Sequence, residues 1–69
     1  MEKLFFELTV DNKVFKFEVD IDGIVWLIEQ PNTKSNFGQL EGVRDMTSAT
    51  KFAKEMLYIS GRIKNRIKT

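Results

Sequence analysis

The residues best placed to do chemistry are three glutamates, Glu7, Glu18 and Glu29, which a strand reading puts on one face of a sheet. Paired carboxylates can act as general acid and base. Lys16 falls between Glu7 and Glu29 in the same reading, so the three are expected to form a solvated salt-bridge row on a surface without a cleft. Asp20, Asp22 and Gly23 resemble the start of a calcium loop, but the positions that should carry a fifth ligand, a glycine and a closing glutamate hold Ile24, Val25 and Pro31. A hairpin turn accounts for them better. With 0 Cys and 0 His the chain lacks the usual nucleophile, base and soft metal ligands, and Ser35, Ser48 and Ser60 have no evident activator. Gly38 to Arg44, GQLEGVR, lacks the Gly-Lys-Ser/Thr ending of a phosphate loop. The expectation is a protein that is not an enzyme and carries no cofactor and no metal.

The elements that position these groups follow from periodicity. Residues 3–10 alternate, with Leu4, Phe6, Leu8 and Val10 on one face and Lys3, Phe5, Glu7 and Thr9 on the other. Residues 14–21 repeat the pattern, with Phe15, Phe17, Val19 and Ile21 inward and Val14, Lys16, Glu18 and Asp20 outward. Asp11-Asn12 and Asp22-Gly23 both suit two-residue hairpin turns, which gives a three-stranded meander. Two such turns set Phe6 against Phe17 and Glu7 against Lys16, then Val19 against Trp26, Phe17 against Ile28 and Lys16 against Glu29. Ile24, Trp26 and Ile28 then face inward, and Val25, Leu27 and Glu29 outward. Residues 31–46 read as a polar loop beginning PNTKSN, with room for a short irregular fourth strand from Phe37 to Val43 despite Gly38 and Gly42.

After Asp45, Thr47 or Ser48 as cap, the remainder reads as a helix. Ala49, Phe52, Ala53, Met56, Leu57, Ser60, Ile63 and Ile67 share one arc, with Lys51, Lys54, Tyr58, Arg62 and Asn65 roughly opposite. Ile63 and Ile67 stay in phase, which favours continuation past Gly61 to a basic end at 61–69 that overhangs the sheet. The alternative is a C-cap at Gly61 and a basic tail. The whole is an α+β fold of the βββα type in a single domain, 1–69. Such a short chain without disulfides or zinc has few devices for stability beyond its core, and self-association is one of them.

A net charge of +1 conceals a division. Residues 1–45 carry five cations and nine anions, for −4, and residues 46–69 carry six cations and one anion, for +5. Three surfaces are candidates for a partner, the last being the edge of strand one or three, which could pair with another chain unless the loop after Pro31 covers it. The first is the outward sheet face, Phe5, Glu7, Glu18, Asp20, Val25, Leu27 and Glu29, which suits a protein. The second is the helix face, Lys51, Lys54, Tyr58, Arg62, Lys64, Arg66 and Lys68, where cations flank an aromatic ring as they do in proteins that bind single-stranded nucleic acid. In topology alone, a three-stranded sheet with a C-terminal helix resembles recombinase arm-binding domains, which lay the sheet in the major groove. In this chain that face is read with two lysines against four carboxylates, which phosphate would repel, so no family follows. The leading expectation is a regulatory or inhibitory accessory protein of the phage or mobile-element kind, docking on a protein. The alternative is nucleic-acid binding through the helix. A homodimer fits either. The start lacks the pattern of a secretory signal and no apolar run reaches membrane length, so a cytoplasmic setting without membrane contact is expected.

Overall fold

The computed structural model describes residues 3–30, 33–42 and 45–67. Four strands, β1 (Leu4–Val10), β2 (Lys13–Val19), β3 (Ile24–Gln30) and β4 (Thr33–Gln39), form one antiparallel sheet in the order β1-β2-β3-β4. One helix among the described residues, α1 (Met46–Ile59), lies across one side of it. The class is α+β, with a fourth strand added to the meander.

The first hairpin has the register its alternation predicts, with Phe6 opposite Phe17 and Glu7 opposite Lys16. Asp11 and Asn12 take φ of 52° and 66°, the two positive values of a type I′ turn, which matches the twist of the flanking strands. The second hairpin does not keep the predicted register. Phe17 pairs with Leu27, Glu18 with Trp26 and Val19 with Val25, one residue away from the expected alignment. The turn explains the slip. Gly23 donates its N–H to the Asp20 carbonyl at 3.0 Å, and only Gly23, with φ of 82°, is left-handed there. Residues 20–23 therefore form a type I turn closed by a glycine bulge, which uses a three-residue loop where two residues were expected.

Because the strand period is two, that single residue turns β3 over. Val25 and Leu27 enter the core, 0% and 2% exposed, while Ile24, Trp26 and Ile28 face away from the helix. The sequence tolerates this because residues 24–28, IVWLI, are apolar on both faces.

β4 begins at Thr33, so TKSN belongs to a strand and not to the polar loop, and the strand ends at Gln39, short of the predicted Val43. Val43 itself lies outside the described residues. Ladder shifts beside Val25/Trp26 and Ile28/Gln30 leave Phe37 and Glu29 as bulged residues. The first bulge turns Phe37 into the core, where it is 5% exposed and tilted against Phe17 at 5.7 Å. At Gly38 φ is +122°, and a Cβ there would stand 3.0 Å from Cζ of Phe52. Glycine lets the helix approach the sheet at that point.

α1 begins at Asp45, whose carboxylate accepts the Ser48 N–H at 2.8 Å. Ala49, Ala53 and Leu57 are fully buried, with Phe52 and Met56 packed beside them, as the predicted arc requires. Two alanines at the centre of the contact let the helix sit close to Phe17, Val19, Val25 and Leu27.

The predicted continuation past Gly61 is overturned. The Arg62 N–H bonds the Leu57 carbonyl at 3.0 Å and the Gly61 N–H bonds Tyr58 at 3.1 Å, a Schellman ending with Gly61 left-handed at φ 79°. Fourteen helical residues span about 21 Å and a seven-residue strand about 23 Å, so the helix does not overhang. Ser60, placed on the buried arc by the longer helix, is exposed, whereas Ile63 reaches the core because the chain turns back onto it.

Candidate functional site

The outward face of the sheet is built row by row from the two hairpins. One row runs Phe5, Glu18, Trp26, Asn36 and the next runs Glu7, Lys16, Ile28, Lys34. Phe5 and Val14 are 61% and 56% exposed, and Ile24, Trp26 and Ile28 are half-buried. At one end the Asp20–Gly23 turn presents Ile21, also 61% exposed. Ile21 was expected inward, but the three-residue loop takes it out of the strand.

Glu18 is the one carboxylate of this face that is withdrawn from water, its side chain only 8% exposed between cross-strand partners Phe5 and Trp26. Lys34 Nζ reaches it at 2.9 Å and Lys3 Nζ at 3.8 Å. A carboxylate this covered needs such partners, since an unpaired buried charge is strongly destabilising. Asp20 is equally occupied. Its Oδ1 accepts the N–H groups of Asp22 and Ile24 at 2.9 and 3.0 Å, and its Oδ2 accepts the indole N–H of Trp26 at 3.0 Å. Trp26 is the main cause that holds the Asp20 carboxyl below its ordinary pKa; burial opposes it, and the backbone donors and Lys3 reinforce it. Asp20 thus closes the turn, fixes the slipped register and anchors the tryptophan on the outward side.

Of the predicted sheet-face residues, Phe5, Glu7, Glu18 and Asp20 lie together. Val25, Leu27 and Glu29 do not. Val25 and Leu27 are core, and Glu29 is on the helix side, where it accepts hydrogen bonds from Ser35 Oγ at 2.9 Å and from Arg62. Arg62 first and Ser35 second hold the Glu29 carboxyl below its ordinary pKa. The expected Glu7–Lys16–Glu29 row therefore does not exist; Lys16 stands opposite Ile28. Sequence reasoning missed Ile24, Trp26, Ile28, Lys34 and Asn36. The sign of charge changes with them. Among the described residues, Lys3, Lys16 and Lys34 now balance Glu7, Glu18 and Asp20, so the face is neutral and not acidic.

The predicted basic face is divided by the early helix end. Lys51 is exposed and Lys54 half-buried on α1, with Tyr58 37% exposed a turn later. Arg62 is drawn to Glu29 and lies over the Phe37 ring at 5.2 Å. Arg66 binds Glu55 at 2.9 Å and covers the Tyr58 ring at 4.8 Å. Lys64 is exposed, and Lys68 lies outside the described residues. Among the described residues, Lys51, Lys54 and Lys64 form no ion pair, and one face of Tyr58 is already occupied.

No group of three or more His, Cys, Asp or Glu side chains among the described residues is arranged to hold a metal ion, and no described helix is long and apolar enough to cross a membrane. Compared with protein-family models, with curated proteins and with solved structures, the chain gives no match.

Proposed function

We propose that the chain is a small non-enzymatic binding module, a regulatory or inhibitory accessory protein that docks on another protein through the outward face of its sheet. The carrying observation is the outward face on which Phe5, Ile24, Trp26 and Ile28 flank a Glu18 paired with Lys34 and Lys3, with Val14 exposed beyond Lys16. Aromatic and aliphatic side chains interleaved with paired charges suit a protein interface, where a desolvated Trp contributes strongly and the charges set orientation. The hydrogen-bonded ladder and the Asp20–Trp26 bond hold these groups in place, so little ordering is lost on docking. The partner that fits is a protein surface with an apolar hollow and both signs of charge at its margin, in place of the purely basic surface that an acidic face would have sought.

Binding of nucleic acid by the helix is the reading that competes. The engagement of Arg62 and Arg66 within the chain reduces what the helix face offers to phosphate. A salt titration with labelled DNA and RNA separates the two, because each neutralised phosphate adds to the loss of affinity with salt. The docking reading expects no appreciable binding at physiological salt. A steep slope that flattens when Lys51, Lys54 and Lys64 become Ala contradicts it.

A further inference from the structure

The two edges of the sheet are unlike. β4 is broken by two ladder shifts, carries Gly38 and has Lys34 at its second position. Such features blunt an edge against pairing. β1 has none of them. Its seven residues, LFFELTV, pair with β2 without interruption and bear a single charge, Glu7.

The hydrogen bonds that β1 has left to give are set by its turn. A two-residue type I′ turn is closed by a pair that exchanges both hydrogen bonds, here Val10 and Lys13. Leu8, Phe6 and Leu4 follow in the same phase. The N–H and C=O groups of Phe5, Glu7 and Thr9 therefore point to the free edge.

We propose that β1 pairs antiparallel with β1 of a second copy, joining two sheets into one of eight strands about a two-fold axis at Phe5. The axis follows from the side chains. Outward residues must meet outward residues, which allows axes at Phe5, Phe6, Glu7 or Leu8, and one at Leu8 sets Glu7 against Thr9 with no opposite charge to meet it. An axis at Glu7 sets two carboxylates against each other. One at Phe6 sets Phe5 against Glu7. One at Phe5 sets Lys3 against Glu7 of the other copy, twice, with Phe5 against Phe5 outside and Leu4 against Phe6 on the helix side. The free hydrogen-bonding phase admits each of these axes, and charge complementarity selects the one at Phe5. The inference stands on the edge and not on the outward face, so its failure leaves the docking reading intact.

Sedimentation of the full chain over about 10 µM to 1 mM tests it, since a short seam makes association strongly concentration-dependent. The wild type is expected to pass from monomer to dimer in that range. Glu7→Pro removes an outward N–H without touching the β1–β2 ladder, and is expected to be monomeric with an unchanged far-ultraviolet spectrum. Reversal of either charge, Lys3→Glu or Glu7→Lys, is expected to weaken the dimer about tenfold or more, and the double exchange to restore it. A wild type that stays monomeric throughout, or single reversals that leave the dissociation constant unchanged, overturns the proposal. Because Lys3 also pairs with Glu18 and Glu7 stands opposite Lys16 within the chain, Glu7→Gln, which sets no like charges together, is the deciding variant: it is expected to weaken the dimer with an unchanged far-ultraviolet spectrum, and an unchanged dissociation constant for it overturns the proposal.

Discussion

Truncation of Leu27 and of Ile28, neighbours in β3, puts the inverted register to a direct test. Leu27 is 2% exposed against Phe17 and the helix, and its replacement by Ala leaves a cavity in a closed core. Buried Leu→Ala changes cost about 2–5 kcal/mol. A domain of 69 residues has a total stability on the order of 3–10 kcal/mol, so Leu27→Ala removes much of it. At about 4–8 °C per kcal/mol, the melting temperature falls by roughly 8–40 °C. Ile28 stands half-buried on the outward face, where water takes the place of the lost methyls, and Ile28→Ala is expected to cost about 1 kcal/mol. Urea unfolding followed by circular dichroism supplies both values on one scale. An Ile28→Ala loss equal to or larger than that of Leu27→Ala refutes the register, and with it the placement of Ile24, Trp26 and Ile28 on the outward face.

Other consequences follow from single contacts. A Cβ at Gly61 meets nothing within 4 Å, so Gly61→Ala is expected to cost only the left-handed conformation, about 1 kcal/mol, by thermal melting. Gly38→Ala adds the close approach to Phe52 and is expected to cost distinctly more. The lowered pKa values of Asp20 and Asp45 mean that each stabilises the fold above its unfolded-state value and ceases to as pH falls through its folded-state value, so stability declines on acidification below about pH 4. Trp26, the sole tryptophan, reports the Asp20 step by fluorescence, and Asp20→Asn is expected to abolish the acid shift in its emission. Arg62→Ala is expected to return the Glu29 carboxyl toward its ordinary titration range, as read by carboxyl-carbon resonance.

The parts of the fold legible from sequence are those in which one pattern had a single solution. The alternation of residues 3–10 against polar partners allows one register, and the Ala-rich arc of α1 allows one buried side. β3 was not legible, because IVWLI is equally apolar in both phases and the turn alone decides. The deciding signal was local, an Asp at the first position of the turn and a Gly at the fourth, which favours a type I turn with a bulge over a two-residue Asp-Gly turn. β4 was placed too late in the chain, at Phe37–Val43, because an edge strand has only one neighbour to satisfy and can be polar nearly throughout; Phe37 is its one buried apolar residue. The end of α1 was legible at Gly61 and was obscured by Ile63, which keeps helical phase by coincidence and is buried by the reversal of the chain. The neutral face follows from these two differences in β3 and β4, since together they remove Glu29 from it and add Lys34.

The docking reading rests on which face meets the partner. A photoreactive residue at Val14, exposed in β2 and away from the β1 edge, can be compared in the source cells with one at Lys51 on the helix. Docking through the sheet predicts a discrete protein adduct at position 14 that is lost when Trp26 is replaced by Ala, and none at position 51. An adduct to protein or nucleic acid at position 51, with position 14 unreacted, contradicts it.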